Sequence, residues 1–130
     1  FKLLSGAMLG VFGKRRGEDA ATLTTPVATI GIRGTGLYAE AAADQSYICT
    51  CYGTTTMTSA TDPSVSETVT TTHHDAARYI LKDKDAGKLI VPAPFKNHTD
   101  LELMTIEAIV GREVPFGLNA TEYEGPRRDY

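Results

Sequence analysis

The placement of glycine most constrains what this chain can fold into. Gly6, Gly10, Gly13, Gly17, Gly31, Gly34, Gly36 and Gly53 cut the first half into short pieces. Such spacing disfavours long helices and suits short strands joined by turns. The pieces between have strand chemistry. "TLTTPVATIGIRG" is rich in threonine and β-branched residues. Pro26 within it marks an edge or strand-start position, because proline cannot donate to a ladder. "LYAEAA" follows, then a turn at "ADQS", then "YICTC". In that run Tyr47, Cys49 and Cys51 share one face and Ile48 takes the other. "TTTMTS", a turn at "ATDPS" around Asp62-Pro63, and "VSETVTTT" predict a hairpin. "GKRRGED" reads as a charged loop, with Lys14, Arg15 and Arg16 as solvated surface or, more sharply, a patch for a partner.

One helix is predicted, late in the chain, over about residues 99–111. Thr99 is its N-cap, with Glu102 three residues on in the capping-box pattern. Asp100 and Glu102 place acid in the first turn, where the helix dipole favours it. Leu101, Met104 and Ala108, with Leu103 and Ile109, offer an apolar side. Gly111 is the stop. "VPFGLNATEYEGPRRDY" has no period and reads as an irregular tail. The expected fold is therefore mainly β: a short-stranded antiparallel sandwich or roll with one C-terminal helix. Residues 1–96 form the β domain, and 97–130 the helix and tail packed on it.

The chain has 130 residues, enough to bury a core without disulfides. Its net charge of −3 and lack of a basic stripe exclude a nucleic-acid partner. No apolar run approaches bilayer length. The chain begins at Phe1, not Met, so either something was removed or the numbering starts inside a longer product. "FKLLSGAMLGVF" reads as structure, since it lacks the flanks of a secretory signal.

The chemistry-bearing residues are few. The chain's 2 cysteines are Cys49 and Cys51, and its 3 histidines are His73, His74 and His98. On a strand, Cys49 and Cys51 project from one face with Cα atoms roughly 6.5–7 Å apart, at or beyond the limit for an unstrained disulfide. Two thiolates at that spacing can both reach one ion. His73 and His74 point opposite ways in extended backbone, so one of them joins the site unless a turn begins there. His98 stands just before the helix N-cap. Asp75 is a ligand or an acceptor that orients a histidine. Two sulfurs with two imidazoles suit copper or zinc, with iron also open. Three other readings stand beside this one: two buried small side chains plus loop histidines, a strained or intermolecular disulfide, and a catalytic cysteine. No paired carboxylates, nucleophile motif or cofactor loop points to an enzyme.

"TPVATIGIRGTG", Thr25 to Gly36, resembles the signature stretch of FecR-type domains, in which T-P-x-A-x-I-G-V-R-G-T leads into further strands. The resemblance covers roughly residues 22–58, and its "RGT" core is Arg33, Gly34 and Thr35. "CTCYG", "HHDAARYI", "VPAPFKNHTDLELM" and "EAIVGREVPFG" are similar to a bacterial subgroup with its own C-terminal extension. The resemblance implies an all-β, non-catalytic, periplasmic or extracellular domain, in the best-known members a relay to a sigma factor. This chain has no anti-sigma segment, and Leu37 then Tyr38 stand where an aromatic residue follows "RGT". Read on its residues alone, the stretch has glycines for positive φ or close approach, and Arg33 to tie a turn to carbonyls or to Glu40. Three functions follow: a metal-binding, self-associating β module; a structural subunit of a filament or other assembly without metal; and a periplasmic signalling adaptor. A β domain lacking its first strands is open to completion by a second copy.

Overall fold

A computed structural model of the chain describes residues 1–13, 21–74 and 76–112. The basic cluster at 14–16, Asp75 and the tail from 113 onward lie outside them.

One antiparallel sheet of seven strands organises the described residues. The strands are β1 (Gly6–Val11), β2 (Ala21–Thr24), β3 (Ala28–Ala41), β4 (Gln45–Ser59), β5 (Ser66–Thr71), β6 (Arg78–Asp85) and β7 (Lys88–Pro92), followed by helix α1 (Asp100–Ile109). The fold is thus mainly β with one late helix. The pieces that read as several short strands are in fact two long ones. "ATIGIRGTGLYAEA" is all β3 and "QSYICTCYGTTTMTS" is all β4. They form the spine of the sheet. β1 and β2 share the outer edge of β3, and β5 and β6 share that of β4.

The glycines serve as irregularities within the strands, and this is why the pieces looked separate. Between the pairs Arg33–Thr54 and Gly36–Tyr52, β3 carries one extra residue. Between Gly36–Tyr52 and Leu37–Thr50, β4 carries one, Cys51. The two bulges offset each other and reverse the alternation in both strands. Ile30 and Ile32 face the same core as Leu37 and Ala39; Ile48 faces the same core as Met57. The crossing is tight. Gly53 has φ +91°, and a Cβ there would lie 2.2 Å from the Gly34 carbonyl oxygen. A Cβ on Gly36 would meet the Tyr52 ring at 2.4 Å. The buried Thr35 hydroxyl lies 2.9 Å from both the Arg33 and Thr54 carbonyl oxygens that the irregularity leaves over. Thr35 therefore ties this turn. Arg33, expected to do so, is exposed, and Glu40 instead binds Tyr38, Asn97 and Lys96.

Two apolar clusters result. The larger runs from Leu23, Ile30 and Ile32 through Ile48 and Met57 to Ile80 and Ile90. All its residues but Val27 come from six strands of one sheet, with Leu3, Met8, Phe12, Val65 and Ala76 packed against them. The second holds Tyr38, Tyr47, Cys49, Cys51, Tyr52, Phe95 and Leu103, on the side where α1 packs. Helix α1 starts as its sequence indicates: the Thr99 hydroxyl accepts from the Glu102 amide at 3.1 Å. Val110 closes the helix and Gly111 follows at φ +76°. Its inward face differs from the apolar side read from sequence. Asp100, Leu103 and Glu107 are buried, while Leu101 is 68% exposed and Ala108 faces solvent. Two carboxylates turn inward because each finds a partner there.

Gly53→Ala is expected to lose at least about 2 kcal/mol of stability, since it adds both a strained φ and a backbone clash. A urea titration checks this; an unchanged midpoint would contradict the bulge geometry.

Candidate metal centre

The crossing of β3 and β4 places both cysteines on the helix side of the sheet. Cys49 lies on the regular part of β4, and Cys51 is the extra residue of the second bulge. Their sulfurs are 3.9 Å apart, and the two cysteines are free, not bonded to each other. Both are fully buried. His74 comes from the connection between β5 and β6. Its φ of +57° breaks the extended geometry there, and its amide donates to the Cys51 carbonyl at 2.9 Å. That turn lets His73 and His74 reach toward the same side, which an extended strand would forbid. His98 comes from the segment between β7 and α1, just after Asn97 at φ +61°. It is buried, with 3% exposure.

Four donor atoms converge. His74 Nδ1 is 3.4 Å from Cys49 Sγ, and His98 Nε2 is 3.3 Å from Cys51 Sγ. The two nitrogens are 3.2 Å apart. All four atoms lie within 4.8 Å of one another, so this buried Cys49–Cys51–His74–His98 group could hold a metal ion. The edge lengths can be tested against coordination chemistry. A tetrahedral ion bound at about 2.3 Å by sulfur and about 2.0–2.1 Å by nitrogen has edges of about 3.8 Å (S–S), about 3.3 Å (N–N) and about 3.5 Å (S–N). The four edges measured here fall within about 0.2 Å of those values.

The outer nitrogens fix which way each imidazole presents its lone pair. His98 Nδ1 lies 2.7 Å from the Lys96 carbonyl oxygen, which only accepts, so Nδ1 carries the hydrogen and, in the neutral imidazole a metal requires, Nε2 faces inward bare. His74 Nε2 lies 2.7 Å from Asp100 Oδ1, so Nε2–H donates to the carboxylate and Nδ1 faces inward bare. Both histidines thus aim lone pairs at one point, each oriented by an acceptor behind it, as metal-ligating histidines are. Aromatic rings wall the site: Tyr38 stacks on His98 at 4.4 Å, and Phe95 meets His74 at 4.7 Å. Burial, reinforced by neighbouring Cys49, pushes the Cys51 thiol well up. A metal binding there must displace that proton.

The five candidate ligands therefore divide. Cys49, Cys51, His74 and His98 come together. His73 stands outside the four, with its Nε2 2.7 Å from Asp100 Oδ2. His73, His74 and Asp100 form a second close group, but its 2.7 Å contacts are hydrogen-bond lengths, shorter than the roughly 3.3 Å edges a tetrahedral ion imposes between such donors. Asp75, expected as a ligand or an orienting acceptor, lies outside the described residues; among those described, the carboxylate behind His74 is Asp100, a buried residue that sequence pattern identified only as helix-dipole acid. Its position two residues after His98 was the available signal. The Lys96 carbonyl and the Tyr38 ring had none.

No family model, no curated protein and no solved structure matches the chain. Among the described residues, no helix is long and apolar enough to cross a membrane.

The loop carrying His98 is anchored through Glu40. Its carboxylate accepts from Tyr38 Oη at 2.7 Å and Asn97 Nδ2 at 2.9 Å, and pairs with Lys96 Nζ at 3.4 Å. Although burial opposes it, these partners hold the Glu40 pKa below the usual value. A depressed folded pKa gives stability that is full above the unfolded value and is lost as pH falls through the folded one. Glu40→Gln is expected to cost about 1 kcal/mol at neutral pH, a partly exposed site taking the low end of the charged-bond range. The cost should shrink in acid below about pH 4. Urea midpoints of both proteins against pH check this, and a difference that grows on acidification would contradict it.

Proposed function

We propose that this chain is a non-catalytic β module that binds one transition-metal ion, zinc, through Cys49, Cys51, His74 and His98. The observation that carries the reading is that four donor separations match the edges of a tetrahedral S₂N₂ ion and all four donor atoms lie within 4.8 Å of one another, with both imidazole lone pairs turned inward. Four protein donors fill a tetrahedron and leave no open position for water or substrate, which favours a structural role over a catalytic one. A tetrahedral set with two thiolates suits zinc and disfavours copper(II), which prefers tetragonal geometry. Edges this short enclose a single ion. They leave no room for an iron–sulfur cluster.

The resemblance to FecR-type domains supports a periplasmic or extracellular setting in a bacterium. Among the described residues, β1, β5 and β7 each pair with one strand only, while β2 is covered on its second side by residues 1–3; the one-sided strands support self-association by edge pairing. A clean monomer by size-exclusion chromatography would remove that part and leave the metal reading intact.

Elemental analysis is expected to find one metal ion per chain, falling below about a tenth in the Cys49→Ser, Cys51→Ser double variant. His73→Ala should keep the ion, because its imidazole is outside the four. Metal retained without the cysteines, or lost with His73 alone, would sink the assignment.

A further inference from the structure

Resting on that metal reading, we propose that the centre is a latch: metal binding fixes the 95–99 segment and the first half of α1 to the sheet, and the metal-free chain keeps its sheet but releases them. The helix has 10 residues, below the roughly 12–15 at which isolated helices become marginal in water. It therefore depends on docking. Its apolar docking is limited: Leu103 alone is fully buried, Met104 and Ile106 are half-buried, and Leu101 and Ile109 face solvent.

What holds its first turn is polar and converges on the candidate centre. His98 precedes the N-cap Thr99, and Asp100 follows it. Asp100 accepts from His74 Nε2 and lies equally close to His73 Nε2. An ion joining His74 to His98 would close a ring from the β5–β6 connection through the ion into the helix and back through Asp100. His98 Nε2 stands 3.3 Å from Cys51 Sγ and 3.2 Å from His74 Nδ1, neighbours that would hold it firmly only through a shared ion. The thiol is a weak donor and the inward-facing nitrogen donates nothing. Asn97, at φ +61°, sits at the pivot, in a left-handed conformation that asparagine tolerates better than most residues. The far end of α1 is pinned separately, where Tyr52 Oη donates to Glu107 and Arg112 pairs with it. None of the four donor residues belongs to the larger apolar cluster, whose isoleucines knit β3, β4, β6 and β7. Both cysteines belong to the cluster that contains Leu103. The sheet and the helix thus rest on separable supports.

Hydrogen exchange read by mass spectrometry tests this on the full chain, stripped by a chelator and then reloaded with one equivalent of Zn²⁺. Amides of 101–106 are expected to exchange at least about tenfold slower with zinc, while those of 30–32 and 55–57 change less than about twofold. Asp100→Asn, which keeps all four donors, should still take up zinc at saturation yet exchange faster over 101–106 than the unsubstituted chain. Zinc bound one to one with no change over 101–106 overturns the latch and spares the metal reading. Loss of protection in sheet and helix together also overturns it, because the ion would then support the whole fold. Failure to bind zinc at all overturns the metal reading and the latch with it.

Discussion

Everything distinctive here depends on how closely β3 and β4 approach where their two bulges oppose each other. Gly53 passes the Gly34 carbonyl at a distance that excludes any side chain, and Gly36 leaves the space that the Tyr52 ring fills. The paired insertions reverse the alternation in both strands. One long hairpin can therefore feed isoleucines to one core on both sides of the crossing. At the same place it directs Cys49, Cys51 and Tyr52 toward the helix. Without the bulges, strict alternation would send the neighbours Cys51 and Tyr52 to opposite faces.

The candidate centre then recruits from elements far apart in sequence. β4 supplies two sulfurs, the β5–β6 connection supplies His74, and the segment before α1 supplies His98. Each contribution is backed by a contact that sets its direction: the Lys96 carbonyl behind His98, Asp100 behind His74, and the Cys51 carbonyl receiving the His74 amide. This accounts for an otherwise costly feature, the inward-facing carboxylates of α1. Asp100 and Glu107 are buried because they accept hydrogen bonds, Asp100 from His74 on the β5–β6 connection and Glu107 from Tyr52 on β4 and from Arg112, and so their burial is compensated.

Much of this was legible in the sequence where local chemistry decides. Thr99 with Glu102 marked the helix start, Gly111 its end, and the Asp62-Pro63 turn the β4–β5 hairpin. The shared face of Cys49 and Cys51 followed from strand alternation. What stayed hidden was nonlocal. Glycines at 31, 34, 36 and 53 read as breaks between strands, because a turn and a bulge use the same residue and only the partner strand tells them apart. His73 and His74 could not be ranked, since the positive φ at His74 is imposed by its contacts. The burial of His98 and the inward turn of Asp100 depend on each other's company, which no local pattern encodes.

The most direct test of the account is X-ray absorption at the zinc edge on protein carrying one zinc per chain. The account predicts a four-coordinate ion with two sulfur scatterers near about 2.3 Å and two nitrogen scatterers near about 2.0–2.1 Å, the nitrogens showing the outer-shell pattern of imidazole. A first shell of nitrogen and oxygen only, or one holding a single sulfur, would contradict it.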